Sequence, residues 1–203
     1  DLDWDRSRHA LRQTLYHLRR ELGPEVVVGS DQVGVGVDRE LLWCDAVAFE
    51  REVAGDRLGR ALILDGGELL AGFHAGCGPA YDLWLEQVRL RLQKKAEQAA
   101  WTLADRAEAR GDVREACMWG HRVVALQPYS DRACQRLIRL LGGSGQRVEA
   151  LQEFKAFAAR LKREEGLAPE RETIELAAAV RRGDAVEGLS GHRQPIDTTA
   201  GKG

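Results

Sequence analysis

Between Arg6 and Arg20 the sequence carries five arginines (Arg6, Arg8, Arg12, Arg19 and Arg20), His9 and His17, and no acid. Guanidinium groups grip phosphate oxygens and fork onto the edge of guanine. An amide such as Gln13 matches adenine, and a phenol such as Tyr16 reaches a phosphate or a methyl group. On a helix, at about 100° per residue, Arg6, His9, Gln13, Tyr16 and Arg20 share one side, with Arg8, Arg12 and Arg19 on its flanks. The background makes this segment unusual. Residues 38 to 203 carry 25 Lys+Arg against 26 Asp+Glu. Two readings of the face stand at this point: contact with a nucleic-acid duplex, or a solvated helix surface, which is the commoner fate of a charge run. Clustered charge alone does not choose between them.

No other constellation assembles a reaction centre. Gly66-Gly67 and Gly76-Cys77-Gly78 suggest a phosphate loop, but no Gly-Lys-Ser/Thr follows them, and GVGV at 34–37 lacks the G-x-G-x-x-G spacing. They read as turn and hairpin residues. His74, His121 and His192 stand apart from one another and from any Cys or carboxylate at ligand spacing, so no metal is expected. Cys44, Cys77, Cys117 and Cys134 form no CxxC or CxH cluster and read as buried free thiols in a reducing cytosol. Ser130 and Ser144 fall in expected turns without a base, and Glu164, Glu165 and Glu170 frame a turn and a helix start. Trp84, Trp101, Trp119, Phe154 and Phe157 recur at helical spacing and read as packing between helices. The expectation is a protein without catalytic residues and without a cofactor, not an enzyme.

The basic face needs a helix to present it. Leu11, Leu15, Leu18 and Leu22 recur at four, three and four residues, a stripe that would turn to the core behind the arginines. A helix is therefore predicted over Arg6–Leu22, capped by Asp5 or Ser7 and stopped by Gly23-Pro24. Val26 to Val28 and Val33 to Val37 flank Gly29-Ser30-Asp31-Gln32, the pattern of a β-hairpin. Such a hairpin would carry Ser30 and Gln32 toward the same duplex, while phosphate would repel Asp31. Beyond it, 203 residues at 44% apolar and 31% charged, with a net charge of −2, suit one or two packed domains. That balance excludes a globally basic nucleic-acid coat and an acidic disordered chain. No run of eighteen apolar residues and no secretory leader pattern is present, so no membrane association is expected.

From Asp45, a fair N-cap, the spacing turns helical, with Ala46, Phe49 and Val53 on one face. The stretch ALILDGGELLAGFHAGCGP reads as a short helix and loop. A long helix then starts near Tyr81, with Leu85, Val88, Leu92, Ala96, Ala99, Leu103 and Ala107 in rhythm, and ends at Gly111-Asp112. A shift of 34 residues maps Leu103 onto Leu137, Ala107 onto Leu141, Gly111 onto Gly145 and Ala116 onto Ala150. That period, in helix–turn–helix units, is the signature of tetratricopeptide-like repeats, which stack because one hairpin cannot bury its own apolar face. Pro128 closes the first unit, whereas Lys162 occupies the equivalent place in the second. A last helix is predicted at 170–182 with Ile174, Ala177 and Val180 inward, and 183–203 read as a flexible tail or linker.

The order RHALRQTLYHLRREL, hairpin, LLWCDAVAFE, GELLAGF, YDLWLEQVRLRL and EALQEFKAFAARLKREEGLAPERET resembles the bacterial transcriptional activation domain of antibiotic-regulatory-protein type activators. There the domain follows an OmpR/PhoB-like winged helix. The resemblance covers roughly residues 6–182, and the LLWCD…FE and EEGLAPERET blocks are its most specific parts. It implies a mainly α fold in which 1–38 are the C-terminal part of a winged helix-turn-helix. Residues 6–22 would be its recognition helix and 26–37 its wing, with 39–182 the tetratricopeptide-like activation domain. The family's N-terminal strands and first two helices have no counterpart before Arg6, and the single methionine is Met118, so a fragment of a longer protein is expected.

The resemblance further implies a cytoplasmic activator of transcription. It would contact double-stranded promoter DNA through Arg6, Arg8, His9, Arg12, Gln13, Tyr16, Arg19, Arg20, Ser30 and Gln32. RNA polymerase or another protein would meet the helical domain, and a homodimer is a further implication. The alternative is a helical-repeat interaction module with a vestigial DNA-binding segment, or the regulatory arm of a larger signalling protein.

Overall fold

The computed structural model describes residues 2–30, 34–73 and 78–184. The chain divides into two compact units, residues 1–67 and 68–203. Among the described residues there are eight helices and one two-stranded sheet.

In the first unit α1 (Leu2–Leu22) runs through Asp5 and Ser7, which therefore do not cap it. It stops where expected, at Gly23, whose φ of 107° is a left-handed conformation that side-chain-bearing residues resist. Strands β1 (Val27–Ser30) and β2 (Gly34–Val37) pair antiparallel, Val27 opposite Val37 and Ser30 opposite Gly34. Val26 and Val27, at the start of β1, are buried. The leucine stripe behaves otherwise than predicted. Leu11, Leu18 and Leu22 lie between 41% and 53% exposed, and only Leu15 is half-buried. Periodicity sorted these residues onto one face but does not supply the element that would cover it.

Helices α2 (Asp45–Ala54) and α3 (Leu58–Leu64) form a helical hairpin around Phe49, Leu58, Ala61 and Leu62. The N-cap position is Cys44 and not Asp45, whose carboxylate instead accepts the Ala46 N–H at 2.7 Å. The turn places Asp56 at φ 55° and returns the Arg57 N–H to the Glu52 carbonyl at 2.9 Å. The Arg57 side chain then closes on the Glu52 carboxylate at 2.7 Å, which holds that carboxyl below the usual range.

The second unit is built from α4 (Pro79–Ala109), α5 (Val113–Leu126), α6 (Asp131–Gly143), α7 (Arg147–Glu164) and α8 (Arg171–Arg182). Ala96, Ala99, Ala100, Ala104 and Ala107 give α4 a small-residue flank against which α5 lies closely. Gly120 does the same for α5 against α6: a Cβ there would meet Leu137 Cδ1 at 3.1 Å. The 34-residue repeat is visible in the backbone itself. The Asp112 N–H returns to Ala107 O at 2.9 Å and the Gln146 N–H to Leu141 O at 2.8 Å, with Gly111 and Gly145 both at positive φ. Asp184 closes α8 on Ala179 in the same manner at 3.1 Å. The units differ at their ends. Before Pro128, α5 stops at Leu126, whereas α7, with Lys162 at the matching place, continues to Glu164.

Two inward assignments change. Ile174 is exposed, and the buried residue of that turn is Thr173. Its hydroxyl donates to Asp131 of α6 and accepts from Gln135 Nε2 at 2.9 Å, so α8 is bolted to α6 by a satisfied polar chain. Among the aromatic residues, Phe157 is buried and Trp101, Trp119 and Phe154 are half-buried, but Trp84 is exposed. Residues 185–203, read as a tail, lie outside the described residues.

Candidate nucleic-acid interface

Helix α1 presents Arg6, Arg8, His9, Arg12, Gln13 and Tyr16 to solvent. None of Arg6, Arg8 and Arg12 has a partner among the described residues. No acid occurs between Arg6 and Arg20, so the five arginines leave that segment net positive. Tyr16 meets the His17 ring edge-on at 5.7 Å between centroids, which orients its phenol on the exposed side.

The remaining candidates are placed differently. Arg20 turns to Glu21 at 2.7 Å, an exposed pair that water and salt screen. Arg19 is half-buried and donates from Nε to the Val27 carbonyl at 3.0 Å, tying α1 to β1. It is a strut between helix and hairpin. The Ser30 side chain, Asp31 and Gln32 lie outside the described residues. The structure therefore gathers six of the ten candidates on one open helix and assigns two to protein partners.

Three features escaped the sequence. Beside β2, a groove of about 620 Å³ is lined by Val37, Arg39, Leu42, Trp43, Val47 and Arg51, among others. The LLWCD block thus builds a surface as well as a helix start, and its Cys44 is exposed, not buried. In the second unit, His121 of α5 stands 3.7 Å from both Glu149 and Glu153 of α7. Chain separation hid this cluster, although the 34-residue shift already sets α5 and α7 in register. It borders a groove of about 600 Å³ that includes Cys117 and Ser144. Among the described residues no three His, Cys, Asp or Glu side chains gather to hold a metal ion. The third is a shallow groove of about 420 Å³ along α4.

The thiols there are not poised for nucleophilic chemistry. Burial pushes Cys117 up, and burial with the Asp131 charge pushes Cys134 up to about 12. Cys77 lies outside the described residues. Among the described residues no helix is long and apolar enough to cross a membrane. Residues 45–181 match the family model of the bacterial transcriptional activator domain. No curated protein matches the chain.

Proposed function

The chain belongs to the bacterial transcriptional activator domain family, and from that premise we propose that it is a cytoplasmic DNA-binding regulator of transcription with no catalysis of its own. One observation carries the DNA half of this reading: the acid-free stretch from Arg6 to Arg20 of α1 holds Arg6, Arg8 and Arg12 without a partner among the described residues and is braced to a hairpin by Arg19. A helix followed by a two-stranded ribbon is the order of a recognition helix and wing, and that pair docks by laying the helix in the major groove. Arg6, Arg8 and Arg12 would meet phosphates or guanine edges, Gln13 an adenine, and His9 and Tyr16 the backbone. Residues 68–184, with their 34-residue helical-hairpin repeat, are read as a tetratricopeptide-like platform for RNA polymerase or another protein.

The test is binding to a selected duplex as a function of salt. Each phosphate neutralised contributes about 0.9 to the slope of log affinity against log salt. An R6Q/R8Q/R12Q variant is expected to lose most of the binding and to flatten that slope. A wild-type slope retained by this variant would return α1 to the status of a solvated surface and leave the interaction-module reading in its place.

A further inference from the structure

Among the side chains that α1 presents to solvent, Arg6, Arg8, His9, Arg12, Gln13 and Tyr16, one differs in kind. Guanidinium groups stay cationic, amides stay neutral and phenols ionise only near pH 10, whereas an imidazole changes its charge between about pH 5 and pH 8. His9 is thus the member of this face whose contribution to binding depends on the solution.

Its surroundings are simple. One helical turn to either side lie Asp5, Arg6, Arg12 and Gln13, with Arg8 beside it. Neither His9 nor Asp5 has a partner among the described residues. The next acid along the helix is Glu21, which Arg20 holds at 2.7 Å. Within the first unit the element packed against α1 is β1, and Val27–Ser30 carry no charged group. That contact is made at Arg19, about 15 Å along the axis from His9. The second histidine of the stretch, His17, lies about 80° around the helix from His9 and meets Tyr16 edge-on.

In the free chain His9 therefore faces water and arginines. On a duplex the same side of α1 would face phosphates, which carry about one charge per 1.7 Å of helix axis. An anion within about 4–6 Å favours the charged form of an imidazole, and that form donates from both ring nitrogens. We propose that His9 makes DNA binding proton-linked: its imidazole takes up a proton from solvent as α1 docks, so the chain holds DNA more tightly as pH falls through neutrality. This rests on the reading of α1 as the helix that meets DNA, and it adds a pH response to that same face. The sign follows from linkage, since the bound state carries more protons than the free one and is favoured wherever protons are more abundant.

The probe is a fluorescein-labelled duplex selected for binding to the full chain, titrated by anisotropy between about pH 8 and pH 6 at several salt concentrations. Affinity should rise about fivefold toward the acid end, for one proton taken up. The slope of log affinity against log salt should steepen by up to about 0.9, because one more phosphate is neutralised. His9→Gln keeps a hydrogen-bonding group without the charge and should flatten both responses. His9→Arg is charged throughout, so its salt slope should be the same at both ends of the range. His17→Gln should respond to pH as the wild type does. Titration calorimetry in two buffers of different ionisation enthalpy reads the proton directly, and its uptake should vanish in His9→Gln.

Equal affinity of the wild type across the range, a pH response retained by His9→Gln, or one abolished by His17→Gln would each overturn the proposal and leave the DNA reading standing. Failure of any duplex to bind at any pH would overturn both.

Discussion

Arg6, Arg8 and Arg12 of the first unit stand in solvent without a partner among the described residues, whereas Arg89, Arg136, Arg147 and Arg160 of the second unit each end on the protein. Arg89 donates to the Leu69 and Leu70 carbonyls at 2.9 Å. Arg147 caps α8 through the carbonyls of Val180 at 3.1 Å and Arg181 at 2.9 Å, and Arg160 reaches Pro128 O at 2.9 Å. These carbonyls lie at helix ends and in loops, where the backbone leaves acceptor capacity over, although those of Leu70 and Val180 also accept a backbone N–H. The same side chain therefore serves two purposes, and the difference lies in what the fold places within its reach. A guanidinium within reach of carbonyls or carboxylates becomes a brace. One on an acid-free stretch of helix keeps its five donors for a ligand.

Arg136 is the sharpest structural case. Its side chain is mostly buried, stacks on Trp101 and pairs with Asp105 and with Glu108 at 2.9 Å. Arg136→Leu should cost about 2–4 kcal/mol of stability, because it strands a half-buried carboxylate as well as losing the ring contact. Urea unfolding measures it, and DNA affinity should not change. Arg12→Ala is expected to do the reverse. Stability should hold, while DNA binding loses about 1–3 kcal/mol if Arg12 meets a base edge, or the salt slope falls by about one if it meets phosphate. Should the two variants exchange phenotypes, the division between braces and ligand groups collapses.

Much of the second unit was legible because its determinants are local and repeated. Gly111 and Gly145, the alanines of α4, and the proline-dependent stop of α5 each act through the backbone near them. The register of Thr173 was not legible. Within PERET it looks like an exposed helix-start residue, and Ile174 looks like its buried neighbour. The choice is made by Asp131 and Gln135, about forty positions upstream, which offer a hydroxyl the partners that an isoleucine does not need. Thr173→Val keeps the shape and removes the hydroxyl, so it should cost about 1–2 kcal/mol by chemical denaturation. A neutral result would mean that shape alone seats α8. At the candidate interface the helix, its basic face and the hairpin were all readable from composition and period. The exposure of Leu11, Leu18 and Leu22 was not, because a stripe specifies which residues share a side and not whether anything lies against it.

Arg19 tests the comparison at its boundary, since it belongs to the acid-free stretch by sequence and to the braces by geometry. Its Nε bond to the Val27 carbonyl is a charge-assisted tie between α1 and β1, half-buried and so only partly screened. Arg19→Ala should lower stability by about 0.5–1.5 kcal/mol, the smallest of these effects, because the freed carbonyl can take water instead. Its effect on DNA binding then depends on mechanism. If Arg19 orients the hairpin, affinity falls while the salt slope keeps its value, because no phosphate has lost its cation. If Arg19 is itself a phosphate contact, the slope drops by about one, as for any other arginine of the face. The first outcome assigns Arg19 to the same class as Arg147 and Arg160. The second would mean that the Val27 tie yields when DNA arrives.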